Sequence, residues 1–450
     1  MKKRISRCLD IVRRDEEVLS PCSRSPYYPF VVGSGRGAIL TDADGNSYLD
    51  FSAASGVLNT GACHPKVVAA VREQAERLLS YTNGYMYEES SVELAEELTR
   101  LVPGDFPKSV AFGLSGSDAI DGAIKFARRY TRRSHIVSFL TAYHGATYGA
   151  LSASAISLNM RRGLGPMLPD FHHFPYPLCH RCAWSQEPQS CDLPCLEEIR
   201  KAFRLYLPPE EVAAVLLEPL AGDVGLAVPP AHYVRALAEL CREQGILLVS
   251  DEVQQGMGRT GTWTALEHFG VTADVVVLGK GLASGMPLSA LVMRKPIGDS
   301  LMQPAHCLTL AGNPVCCRAA LATIEVIREE GLLEGARERG DRIRERLEEM
   351  KSEFPELGPT RGLGLSIGQD FVLPDGKTPD RDGSAKVCHR CWERGLILTF
   401  LGDNTLRIQP PLVISESQCL DGLEILAASI RDYRAGKIGD DVLAFARGWA

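Results

Sequence analysis

The sequence predicts an α/β protein with a mainly parallel sheet in a large domain, plus a smaller α+β domain, and three observations lead there. From about residue 61 to 325, short strand-like runs alternate with helix-period segments, the signature of a parallel sheet with helices on both faces. Several of these runs are apolar throughout instead of alternating, as strands buried on both faces are. After 325 the composition turns to charged helices and short strands.

Residues 1–60 read as a helix, Gly/Ser/Pro-rich turns, and a hairpin around Asp44-Gly45-Asn46, and this segment is expected to join the small domain. The large domain, 61–325, carries strand-like runs at Val110 to Leu114, His135 to Leu140, Val212 to Leu217, Ile246 to Ser250, Val275 to Leu278 and Leu288 to Met293. A Cys- and Pro-rich insertion occupies 175–200. A helix near Pro314 to Glu330 marks the border, and 326–450 forms the small domain: a charged helix over Glu334 to Lys351, strands at Gly364 to Gly368 and Leu406 to Gln409, and a last helix. In a sheet of this kind the ligand site lies at the carboxyl ends of the strands.

At 450 residues the chain is long enough for a large core and two domains. A content of 45% hydrophobic and 23% charged residues is that of an ordinary soluble globular protein. The net charge of −7 argues against a general nucleic-acid partner, and no apolar run is long enough to span a membrane. The basic start Met1-Lys2-Lys3-Arg4 lacks the apolar stretch of a secretory leader and reads as an amphipathic helix. Fourteen cysteines without such a leader point to a reducing, cytoplasmic compartment.

The chemistry concentrates in Asp251-Glu252-Val253-Gln254-Gln255-Gly256 and in Gly279-Lys280-Gly281. Asp251 and Lys280 each follow an apolar strand-like run, so both project from one edge of the sheet. A lysine and a carboxylate so placed suit pyridoxal 5′-phosphate (PLP): the amine forms a Schiff base with the aldehyde, and the carboxylate keeps the pyridine nitrogen protonated so that the ring absorbs carbanion electrons. Ser115-Gly116-Ser117-Asp118-Ala119 opens a helix after a strand, which makes either a phosphate cradle or a plain N-cap. Tyr143 follows the next strand, where its ring would lie on one face of the pyridine or simply fill the core. Val253, on the same side of an extended segment as Asp251, would pack the other face.

Cys179, Cys182, Cys191 and Cys195 form a Cys-x2-Cys-x8-Cys-x3-Cys pattern in the insertion. Four thiolates at this spacing suit a structural Zn²⁺ or an iron–sulfur centre, with free thiols or a redox-sensitive disulfide as alternatives.

Together with Glu218-Pro219, Thr309 in Thr-Leu-Ala-Gly-Asn-Pro and Arg407 in Leu-Arg-Ile-Gln-Pro-Pro-Leu, these motifs resemble, in order, those of the class III (subgroup II) aminotransferase family over roughly residues 25 to 435. The resemblance implies PLP fold type I with a seven-stranded-type, mainly parallel sheet, in a homodimer or tetramer of dimers with shared active sites. It also implies roles. Lys280 carries the cofactor and moves protons, Asp251 pairs with the pyridine nitrogen, Gln254 reaches the ring hydroxyl, and Tyr143 and Val253 sandwich the ring. Gly116 and Ser117 hold the phosphate with Thr309 of the neighbouring subunit, Glu218 belongs to the cofactor-binding set, and Arg407 grips a substrate carboxylate.

One departure bears on the reaction. Many ω-amino-acid aminotransferases of the family carry Gln-Gly-Glu-Gly after Glu-Pro, whereas this chain reads Leu220-Ala221-Gly222-Asp223-Val224-Gly225. Further segments, Ser157-Leu158-Asn159-Met160, Gly165-Pro166-Met167-Leu168-Pro169 and Pro304-Ala305-His306 among them, resemble the branch that contains amino-acid racemases and isoleucine 2-epimerase. The expected activity is therefore racemisation or epimerisation of a free amino acid, with aminotransfer to a 2-oxo acid as the alternative. Asp223 is expected either to act as a second proton-handling group or water-holder, or to neutralise Arg407.

Overall fold

The computed structural model describes residues 3–446. The chain separates into two units: one runs from Pro65 to Leu333, the other combines the residues up to His64 with those from Glu334 on.

The larger unit is built on one seven-stranded sheet of β1 (Lys108–Gly113), β2 (His135–Phe139), β3 (Phe171–Phe174), β4 (Val212–Leu217), β5 (Leu247–Asp251), β6 (Val275–Leu278) and β7 (Ser289–Arg294). Their order is β1-β7-β6-β5-β4-β2-β3. The pairs from β3 through β6 are parallel. Only β7 runs the other way, antiparallel to both β1 and β6. The carboxyl ends of β1 to β6 therefore share one edge. Every residue of β4, β5 and β6 is buried, which is why these strands read as unbroken apolar runs.

The helix Gly116–Thr131 covers part of this sheet with Ala119, Ile120, Ala123, Ile124 and Ala127, spaced as one face of a helix, packed with Ile136, Leu216, Val249, Val277 and Leu291. A second long helix, Pro314–Glu329, begins where Asn313 accepts hydrogen bonds from the N–H groups of Val315 (2.9 Å) and Cys316 (3.2 Å), with proline in its first turn.

β3 escapes the sequence pattern. Its Phe-His-His-Phe composition has no apolar run, and it is a strand because its backbone pairs with β2.

In the smaller unit, four antiparallel strands lie in the order Leu357–Leu363, Ser366–Phe371, Thr405–Ile408, Thr399–Leu401. The run Gly364 to Gly368, expected as one strand, begins in the turn of a hairpin: Gly364 has φ +52°, a conformation that suits glycine and not a strand. The Asp44-Gly45-Asn46 hairpin forms between Ile39–Asp42 and Ser47–Asp50. Its turn is held by the Asp42 carboxylate, which accepts from the N–H groups of Asp44 (2.9 Å) and Asn46 (2.8 Å). The N-terminal helix spans Ser6–Val18. Among the described residues no helix is long and apolar enough to cross a membrane.

Candidate active site

Five strands deliver side chains to one cavity of about 140 Å³ at the shared carboxyl edge. Gly116 and Ser117 follow β1, Tyr143 follows β2, and Glu218 follows β4. Asp251 ends β5, with Val253 and Gln254 just beyond it, and Lys280 follows β6. His144, Gly145 and Gln255 complete the wall.

The Gly116 helix start is capped from its own first turn and leaves N–H groups facing the cavity end. Ser115 and Asp118 form a capping box, the Ser115 hydroxyl accepting from Asp118 N–H (3.3 Å) and the Asp118 carboxylate from Ser115 N–H (3.1 Å) and Leu114 N–H (2.9 Å). The N–H groups of Gly116 and Ser117, at the first helical positions, have no intrahelical acceptor and sit at the positive end of the helix dipole, which suits a phosphate. Small residues are required around them. A Cβ on Gly145 would lie 2.3 Å from Ser117 Oγ, and one on Gly116 would lie 2.8 Å from Val253.

Asp251 is 5% exposed, and both its oxygens are held. Oδ2 lies 2.7 Å from His144 Nδ1, and Oδ1 accepts from Val253 N–H at 3.1 Å. His144 is the cavity residue in contact with Asp251 to which the sequence analysis assigned no role. Its only local signal is an imidazole directly after Tyr143.

Glu218 is buried among polar groups of the same wall. Its carboxylate accepts from Tyr143 N–H and Gly222 N–H, both at 2.8 Å. Burial raises its pKa to about 7 against the opposing pull of His144 and the two N–H groups, with the Asp251 charge adding to the rise. Burial likewise raises the Tyr143 phenol, followed by the Asp223 and Asp251 carboxylates. Asp223, 8% exposed, thus lies near Tyr143, although it does not line the cavity itself.

Lys280 is half-buried with φ +41°, a left-handed conformation that a lysine holds only under constraint from its surroundings. Its amine has no ion-pair or hydrogen-bond partner among the described residues. An unpaired amine, a carboxylate held on both oxygens, an aromatic ring and a helix-start anion cradle around one cavity form the donor set that PLP requires.

With Asp223, two further predicted residues do not line this cavity, one of them, Thr309, expected to serve a neighbouring subunit. Thr309 is exposed and outside this cavity. Arg407, on Thr405–Ile408 of the smaller unit, is buried, with Nε donating to Thr399 Oγ1 (3.1 Å) and Nη2 to Ser55 Oγ (3.0 Å).

The four insertion cysteines all line a separate cavity of about 230 Å³ with Tyr233, Trp184 and several prolines. All four are free thiols, and burial raises Cys179 and Cys195 to about 11. No three His, Cys, Asp or Glu side chains among the described residues stand in an arrangement that would hold a metal ion. The expected Zn²⁺ or iron–sulfur ligand set is therefore not assembled: spacing in sequence brings the sulfurs to one cavity, but a ligand set also needs them to converge on one point.

The sequence profile described as Aminotransferase class-III matches residues 22–430. The chain is 44% identical to the leucine/methionine racemase of Thermococcus litoralis over 442 residues, 98% of this chain and 99% of that protein. It is 41% identical to the isoleucine 2-epimerase of Lentilactobacillus buchneri over 437 residues, 97% of each. Among solved structures, an amine transaminase from an uncultivated Pseudomonas species in its PLP-bound form superposes with a TM-score of 0.84 at 28% identity, covering 91% of this chain and 96% of that one. With motifs, sheet order and cavity all in agreement, the chain belongs to the class-III aminotransferase family.

Proposed function

We propose that this protein is a PLP-dependent amino-acid racemase or epimerase acting on free amino acids. The observation that carries the choice of reaction is the near-full-length similarity, above 40% identity, to a leucine/methionine racemase and an isoleucine 2-epimerase. When bound, PLP supplies an aldehyde for the Lys280 amine and a ring that withdraws negative charge from the substrate Cα. Lys280 takes the Cα proton on one face, and Asp223, directly or through a water, returns one on the other, so the reaction is proton-neutral. Asp251, held by His144 and Val253 N–H, pairs with the ring nitrogen. Gly116 and Ser117 bind the phosphate through backbone N–H groups, and Arg407 binds the substrate carboxylate by the family motif it occupies.

The functional assembly is a homodimer or tetramer with shared active sites, and the site of action is the cytoplasm. Supporting the first is an apolar surface on the larger unit, where Tyr85, Met86 and Tyr87 (80%, 58% and 104% exposed) belong to a segment that adjoins the loop bearing Met302 (75% exposed) and Thr309 through Gly84 and Cys307. Supporting the second is a full complement of free cysteines.

The test is to incubate purified holoenzyme with single L-amino acids, with and without 2-oxoglutarate or pyruvate, and resolve products by chiral chromatography. D-isomer formed without a 2-oxo acid is expected. Product that appears only with a 2-oxo acid would make the protein an aminotransferase, the reading favoured by the structural match to an amine transaminase and by the sufficiency of Lys280 alone for a one-face proton shift. In the same assay Asp223→Ala should suppress solvent deuterium incorporation into D-product. Unchanged racemisation with an altered carboxylate preference would instead assign Asp223 to neutralising Arg407.

A further inference from the structure

The Glu218 carboxylate makes two hydrogen bonds, and they belong to two different loops. Oε1 accepts from Tyr143 N–H in the loop after β2, and Oε2 accepts from Gly222 N–H in the loop after β4, both at 2.8 Å. The backbone of Glu218 is itself fixed, because the buried Tyr176 donates its hydroxyl to the Glu218 carbonyl at 2.9 Å. A single anion thus spans both loops, and hydrogen bonds to an ionised acceptor are the strong ones.

Gly222 opens the short turn that carries Asp223. Ala221 and Ala227 close this turn with two backbone bonds of 3.0 Å each, and Leu226 N–H donates to the Gly222 carbonyl at 3.1 Å. The turn also bears directly on the cavity wall. A Cβ on Gly222 would lie 2.2 Å from Gln254 Oε1 and 2.6 Å from Gln254 Cδ, so this close approach requires glycine. Gly222 is therefore held at its N–H by the Glu218 carboxylate and at its Cα by the Gln254 amide.

We propose that Glu218 is a positioning residue whose carboxylate brackets the Tyr143 loop and the Asp223 turn, so that the aromatic ring and the second proton-handling group keep a fixed spacing. The part that concerns Asp223 rests on its proposed role in racemisation. Inversion depends on the bracket more than one-face exchange does. Lys280 alone can remove and return a proton on its own face, whereas inversion also needs a second group within hydrogen-bond reach of the opposite face, directly or through a water. A neutral side chain of the same length cannot replace the carboxylate, because an amide has one oxygen for two N–H groups and its NH2 end would face the second donor.

The experiment compares wild type with Glu218→Gln, which keeps one acceptor, and Glu218→Met, which keeps the length without a strong acceptor, at a pH above the value of about 7 to which burial raises Glu218. In apoprotein labelled with ¹⁵N-tyrosine, the backbone N–H resonance of Tyr143, assigned by its loss in Tyr143→Phe, should move in Glu218→Met and its hydrogen should exchange faster with solvent. In the holoenzyme in deuterated solvent, the initial rate of deuterated D-product relative to deuterated L-substrate should fall about tenfold in Glu218→Met and by less in Glu218→Gln, with KM within about twofold, the effect of losing a hydrogen bond to a charged group. An unchanged Tyr143 resonance in a folded Glu218→Met, or an unchanged ratio where Asp223→Ala lowers it, would overturn the bracket. Should Glu218→Met not fold, Glu218→Gln decides by the same ratio. If Asp223→Ala itself leaves the ratio unchanged, the proton role of Asp223 fails, and the Tyr143 resonance alone decides whether the bracket stands.

Discussion

Replacing Asp251 by Asn tests the centre of the site with the least structural disturbance, because the two side chains have the same shape. The carboxylate now makes a 2.7 Å contact with His144 and accepts Val253 N–H at 3.1 Å in a setting only 5% exposed. The amide oxygen of Asn can keep one of these bonds, so the backbone stays in place, but the charge is gone. A hydrogen bond to a charged partner contributes about 1.5–3 kcal/mol, and each 1.36 kcal/mol changes a rate tenfold, so losing the bond proposed between Asp251 and the ring nitrogen would correspond to roughly 10- to 150-fold. We expect kcat to fall about 100-fold, measured by chiral chromatography at saturating L-amino acid, with cofactor content determined by absorbance on the same sample. A loss below about tenfold at full cofactor content would show that another group protonates the ring, and would remove Asp251 from its role.

Gly145→Ala should raise the dissociation constant for PLP by about tenfold or more, measured by fluorescence titration of the apoprotein, because its Cβ would lie 2.3 Å from Ser117 Oγ and 2.7 Å from Ser117 Cα at φ +136°. Unaltered affinity would dissociate Ser117 from the phosphate. Glu218 gives a pH signature. Its pKa is raised from 4.5 to about 7 in the folded state, so between these values the native protein binds more protons than the unfolded chain, and stability falls as pH rises through that window. Glu252, raised to about 7 by its own burial, acts in the same direction, so only the difference between wild type and Glu218→Gln isolates Glu218. The apoprotein Tm of Glu218→Gln relative to wild type should increase from pH 5 to 7 and level off above; a difference that is flat with pH would mean the carboxyl stays ionised.

Much of the site was legible in the sequence because it follows a local rule. An apolar run of strand length buried on both faces needs no partner information to be recognised, and Val212–Leu217 and Val275–Leu278 form with the bounds that the pattern predicts. The polar residues after such runs, Glu218, Asp251 and Lys280, then fall at the carboxyl edge whatever the strand order. The same rule hides β3, where two histidines interrupt the apolar signal. Pairings across long separations lie outside it altogether. His144 meets Asp251 across 107 positions, and Arg407 meets Ser55 across 352, because strand order and register bring them together. The four cysteines show the limit from the other side: their spacing correctly groups them on one cavity wall, yet whether four sulfurs converge on a point is set by the path of the loop between them. Local composition thus determines which residues are buried and which end a strand, since burial periodicity is written residue by residue. Tertiary structure alone decides which buried polar groups share a hydrogen bond, since that depends on distances no local pattern encodes.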